Sequence, residues 1–114
     1  MTTKRIKVLK FSAEWCQTCK LLEPSVKQLA TEYKQSNKPI VFMTIDADNE
    51  DTKCEFDNFK IATMPTMVLL VEEINDNNEI VNSREISRIN GLKPKQAIRT
   101  LLDWQLDSLS KSQL

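Results

Sequence analysis

The sequence predicts an α/β fold: a four-stranded mixed sheet flanked by three helices, in the order β-α-β-α-β-β-α. Three observations lead there. Short apolar runs of strand length occur at 6–11, 40–45 and 66–71. Between the first two, Leu22, Val26, Leu29 and Tyr33 recur at helical spacing. A second helical stripe closes the chain after its single glycine, Gly91.

Ile6 to Phe11 reads as the first strand, apolar except at Lys7 and Lys10. Ser12-Ala13-Glu14-Trp15 turns into a helix starting near Cys16, with Pro24 inside it, where a proline removes one backbone hydrogen bond. After the turn Ser36-Asn37-Lys38-Pro39, the continuous apolar run Ile40–Ile45 suits a strand buried on both faces. A polar helix is expected from Asp46 or Asp48 through about Phe59, with Thr52, Phe56 and Phe59 as its inner face. Thr66–Val71 is the next strand.

The polar stretch Glu72–Arg88 carries Asn75-Asp76-Asn77-Asn78 at its centre, residues that tolerate turn geometry, and reads as a hairpin returning through Ile80 and Ile86. Ile98, Leu101, Leu102, Gln105 and Leu109 form the face of the last helix, with Ala97 and Trp104 on its shoulder. The helix between the first two strands makes them parallel with a right-handed crossover, and the short polar connection makes the last two antiparallel.

The totals exclude several classes. The 114 residues suit one domain spanning 1–114, and no repeat is visible. Sixteen residues of each charge sign give a net charge of zero, with no basic stripe to suit nucleic acid. The N-terminus lacks an apolar secretory segment, and no run approaches the roughly 18 apolar residues of a membrane span. The expectation is a cytoplasmic monomer, not bound to membrane. With three cysteines and no histidine, one chain has no Cys-His machinery and too few ligands for a four-ligand Cys/His zinc site.

Chemistry therefore centres on Trp15-Cys16-Gln17-Thr18-Cys19-Lys20. Two cysteines one helical turn apart share a face and can open and close as a disulfide with little backbone movement. A CxxC pair in a reducing compartment is redox-active or metal-binding rather than structural.

The stretch Phe11–Lys20, the element order, Pro24, Ile45-Asp46, Thr63-Met64-Pro65-Thr66 and Gly91 together resemble thioredoxin, over about residues 5 to 110. The resemblance implies a minimal thioredoxin fold, since the family's usual first strand and helix are missing. It implies a thiol–disulfide oxidoreductase in which Cys16 attacks and Cys19 resolves. By the same resemblance, Pro65 is cis and lies against the disulfide, and the backbone of Met64 pairs with an extended substrate. Trp15 covers one side of the site, and Gly91 admits a close backbone approach. The implied partners are protein disulfides and an electron donor of the thioredoxin-reductase kind. No bound cofactor is implied.

The chain departs from the family in five places. Lys10 stands where the family has a buried aspartate six residues before the first cysteine. It is either a cation that favours a cysteine thiolate or a lysine whose head snorkels out of the strand. Phe42 replaces the family's usual lysine on the next strand. Gln17-Thr18 replaces Gly-Pro between the cysteines, and the expectation is a couple less reducing than thioredoxin's value of about −270 mV. The polar hairpin is long, and its tip is expected as a solvated loop some 20 Å or more from the site. Cys54 has no family counterpart; it falls opposite the inner face of its helix and is expected to be an exposed, incidental thiol. Two other functions stay open: a binding or adaptor module with weak redox turnover, and a glutaredoxin-like reductase using glutathione.

Overall fold

The structure is a computed structural model, and it describes residues 1–111. The elements follow the expected order: β1 (Thr2–Ser12), α1 (Gln17–Gln35), β2 (Ile40–Asp46), α2 (Glu55–Asn58), β3 (Thr66–Asn75), β4 (Ile80–Asn90) and α3 (Lys95–Ser110). They form one four-stranded sheet in the order β2-β1-β3-β4. β1 runs parallel to β2 and antiparallel to β3, and β3 and β4 are antiparallel.

The side chains of β1 alternate between two cores. Ile6 and Val8 join Leu22, Val26, Leu29 and Tyr33 of α1 and Ile98, Leu102, Leu106 and Leu109 of α3. Leu9 and Phe11 point to the other side, among Ile45, Val68 and Leu70 beneath Phe56, Phe59 and Ile61. The α1 stripe expected from spacing is buried at all four positions. Leu106 is a further buried residue of α3, whereas Trp104 is exposed.

Two expectations are corrected. β2 is an edge strand, not a strand buried on both faces: Met43 and Thr44 are exposed. The reason lies in what covers it. On the Met43 side the neighbouring helix is only four residues long, so most of that surface stays open.

Second, no long helix starts at Asp46 or Asp48. The Asp46 carboxylate accepts the Asp48 N–H at 2.8 Å and the Asn49 side chain accepts the Asp51 N–H at 2.9 Å. These local bonds turn the chain repeatedly before a helix can propagate. The inner face was read correctly, since Phe56 and Phe59 both pack on the Phe11 ring. The polar stretch forms the hairpin expected from sequence, with longer strands and an exposed turn. β3 runs to Asn75 and β4 resumes at Ile80, with Asn78 at φ 66 in the turn between them. The same pairing lengthens β1, which reaches back to Thr2 opposite Asn75.

Two ion-pair groups bind the elements. Buried Glu72 accepts from Arg5 Nε at 2.9 Å, with Lys7 Nζ at 3.5 Å. On the opposite face Glu32 of α1 joins Arg99 at 2.6 Å and Lys95 at 2.8 Å of α3. Those two cations hold the Glu32 carboxyl down to about 2.

Candidate active site

The site forms where β1 ends and α1 begins. Ala13 accepts the Cys16 N–H at 3.1 Å, so the chain turns sharply before the helix. Cys16 is the N-cap of α1, with extended backbone, and its sulfur accepts the Cys19 N–H at 3.3 Å. The first amides of a helix have no partner within the helix and carry its positive end. An electron-rich sulfur at this position therefore finds both a donor and a favourable field.

Cys16 and Cys19 are joined as a disulfide with their Cα atoms 5.3 Å apart. Both are nearly enclosed, at 8% and 3% exposure, Cys19 lying deeper. Ala13, Ala47 and Met64 pack around them. Thr18 Oγ1 lies 3.4 Å from the Cys16 sulfur, a contact that sequence reasoning missed. Its signal was a hydroxyl inside the CxxC, where the resemblance placed a proline.

The remaining residues named from sequence fall around this pair. The Met64–Pro65 peptide bond is cis, and Pro65 is buried. Thr66 Oγ1 donates to the Thr63 carbonyl at 2.7 Å, which closes the turn presenting Met64. Gly91 sits at φ +80, a conformation L side chains rarely adopt, and its N–H donates to the Pro65 carbonyl at 2.7 Å. A Cβ added there would meet nothing within 4 Å among the described residues, so space beside it is open. Trp15 is 65% exposed on the rim. Cys54 is a free, exposed thiol preceding α2 and belongs to no part of this cluster.

Lys10 is largely enclosed by the fold. It is 7% exposed, on the same side of β1 as Ile6 and Val8, facing α1. Burial pulls its ammonium below the usual lysine range; the Glu23 carboxylate on α1 opposes that shift and Lys27 adds to it. Phe42 stacks on Tyr33 with ring centres 6.4 Å apart, so its position holds packing in place of charge.

A disulfide capping a helix, backed by the residue before a cis-proline at the head of a central strand, defines a dithiol–disulfide site on an α/β sheet. The chain belongs to the thioredoxin family, whose family model, described as Thioredoxin, matches residues 1–103. It is 43% identical over 63 residues to thioredoxin-1 of Drosophila melanogaster, covering 55% of this chain and 54% of that one. To thioredoxin H2-2 of Oryza sativa subsp. japonica it is 32% identical over 92 residues, covering 81% of this chain and 57% of that one. The chain thus spans about half the length of these curated relatives. The crystal structure of the germline-specific thioredoxin Deadhead from Drosophila melanogaster superposes with a TM-score of 0.63 at 27% identity, covering 87% of this chain and 79% of that one.

Proposed function

We infer that the protein is a thiol–disulfide oxidoreductase that reduces protein disulfides. The observation that carries this reading is Cys16 at the helix N-cap, its sulfur accepting the Cys19 N–H while bonded to the Cys19 sulfur. In the reduced protein the same amide and helix field stabilise a Cys16 thiolate, which is the attacking species in exchange. The thiolate attacks one sulfur of a substrate disulfide. The substrate S–S bond breaks, a Cys16–substrate disulfide forms, and the leaving sulfur departs as a thiolate and takes a proton from water.

Cys19, as thiolate, then attacks the Cys16 sulfur. The mixed disulfide breaks, the second substrate thiol is released, and the Cys16–Cys19 bond of this structure is formed. A dithiol donor of the thioredoxin-reductase kind returns the two electrons, and a reducing compartment such as the cytoplasm suits that cycle. Trp15, Met64, Pro65 and Gly91 form the substrate seat. Exposed Trp15 offers an apolar wall, the turn closed by Thr66 holds Met64 beside the sulfurs, and the open side of Gly91 admits an extended backbone.

Lys10 sets this site apart from the family pattern. A buried cation on the α1 side of β1 takes the place of an acid, so proton transfer at Cys19 proceeds through water. With Gln17-Thr18 between the cysteines and Thr18 Oγ1 beside the Cys16 sulfur, the couple is less reducing than thioredoxin's.

The test is reduction of a disulfide-bonded protein with a dithiol donor, comparing wild type, Cys16→Ser and Cys19→Ser. Wild type turns over, Cys16→Ser is inactive, and Cys19→Ser accumulates a covalent mixed disulfide through Cys16. A wild type no faster than Cys16→Ser refutes the reading. Equilibration with glutathione buffers gives the potential, and a value at or below thioredoxin's contradicts the second part.

A further inference from the structure

We propose that β2 is a self-association edge, through which two copies of this chain pair antiparallel into one continuous eight-stranded sheet. Among the described residues β2 has a neighbour on one side only, β1. The odd-numbered backbone groups are spent on that neighbour. The Pro39 carbonyl accepts from Ile6 N–H at 2.9 Å, and Ala47 N–H donates to the Ser12 carbonyl at 2.9 Å. Backbone groups alternate along a strand, so those of Ile40, Phe42, Thr44 and Asp46 face outward; among them the Ile40 N–H already donates to the Lys38 carbonyl at 2.8 Å, and the Asp46 carbonyl accepts the Asn49 N–H at 3.1 Å. An edge of this kind is ready to pair with another strand.

Natural edges are usually blunted by charges, prolines or bulges. Ile40–Ile45 contains no charge and no proline, and its pairing with β1 runs without a register shift. Met43 stands 41% exposed on this edge. It borders a groove of about 430 Å³ whose floor includes Leu9, Ile45 and Phe59.

The occupant is a second copy because the edge is complementary to itself. In the antiparallel register centred on Met43, Phe42 lies opposite Thr44 and each pairs through both its backbone groups, while the Asp46 N–H meets the Ile40 carbonyl. Met43 meets Met43, at the close spacing of a non-hydrogen-bonded pair. Beyond the strand ends, exposed Lys38 of each copy lies opposite exposed Asp48 of the other. The net charge of zero means that no overall repulsion opposes the approach. Both disulfides stay accessible, since they sit at opposite ends of the joined strands. The monomer expected from sequence took no account of strand order, which composition does not reveal.

Sedimentation equilibrium from micromolar to millimolar concentration tests this. The expected result is a weak dimer that grows with concentration. Thr44→Pro loses only an outward N–H, so it leaves the sheet intact and weakens the dimer about tenfold or more. Met43→Lys does the same by placing like charges together. Lys38→Glu weakens association roughly threefold, and Lys38→Glu with Asp48→Lys restores it. Circular dichroism and disulfide-reductase activity, unchanged in Thr44→Pro, show that the fold and the redox site survive. A wild type that stays monomeric throughout overturns the proposal. So does a dimer that Thr44→Pro and Met43→Lys leave unaffected, which would place the contact on another surface.

Discussion

Replacing Phe11 by leucine tests how α2 is held. Phe11 is fully buried, and its ring meets Phe56 edge-on at 5.0 Å and Phe59 at 5.7 Å. With only four residues, α2 has too little helix to persist by itself and depends on these contacts. Each aromatic pair contributes about 0.5–1.5 kcal/mol beyond area burial. The gap left by a smaller side chain adds about 1 kcal/mol. Phe11→Leu should therefore cost about 2–4 kcal/mol, a large share of the stability of a domain of this size. In urea, with a slope of about 2 kcal/mol/M, the unfolding midpoint falls by roughly 1–2 M. Hydrogen exchange localises the effect. The amides of Phe59 and Ile61, bonded to the carbonyls of Glu55 and Phe56, lose protection well before those of α1. The reasoning is refuted if the loss is below about 1 kcal/mol, or if those amides remain as protected, relative to α1, as in wild type.

Three further outcomes are expected. Lys10 has a folded pKa below its ordinary 10.5, so wild type gains stability as pH rises toward that value, because the unfolded chain binds the proton more tightly. Lys10→Met should accordingly unfold at higher temperature than wild type at neutral pH, with the gap closing in alkali; a gap independent of pH would contradict the burial argument. Glu32 has the opposite sign: its carboxyl lies near 2 against an ordinary 4.5, so its contribution is complete above 4.5 and lost as pH falls toward 2. Thermal melts of Glu32→Gln should fall below wild type at neutral pH and converge with it near pH 2. Thr52 Oγ1 is buried without a hydrogen-bond partner among the described residues, so Thr52→Val should stabilise by about 1 kcal/mol in the same urea assay.

What could be read from the chain divides along physical lines. The α1 stripe was legible because a helix packed on a sheet imposes a 3.6-residue period, and Leu22, Val26, Leu29 and Tyr33 obey it. The closeness of Cys16 and Cys19 and the cis Met64–Pro65 bond were legible through a motif that ties together distant parts of the sequence. β2 misled because an apolar run reports what a strand could bury, whereas exposure depends on which strand becomes its neighbour. The segment after β2 misled because helix and successive Asx turns draw on the same residues, and only geometry shows that Asp46 and Asn49 bind nearby amides. Lys10 was visible as a departure, yet its placement depended on Glu23 and Lys27, thirteen and seventeen positions along the chain. Helical packing, not sequence proximity, sets that juxtaposition.

The long β3–β4 hairpin has a practical consequence. Pro65 and Gly91 meet at its base beside the disulfide, while its turn at Asp76–Glu79 lies ten residues further along β3. At about 3.3 Å per residue the tip stands some 30 Å from the sulfurs. An exposed tip of that kind tolerates inserted chain. A tether, a fluorescent label or a fused domain placed there would move with the rigid sheet and leave the thiols unobstructed. The hairpin is therefore the natural point at which to immobilise the protein while testing it for thiol–disulfide exchange.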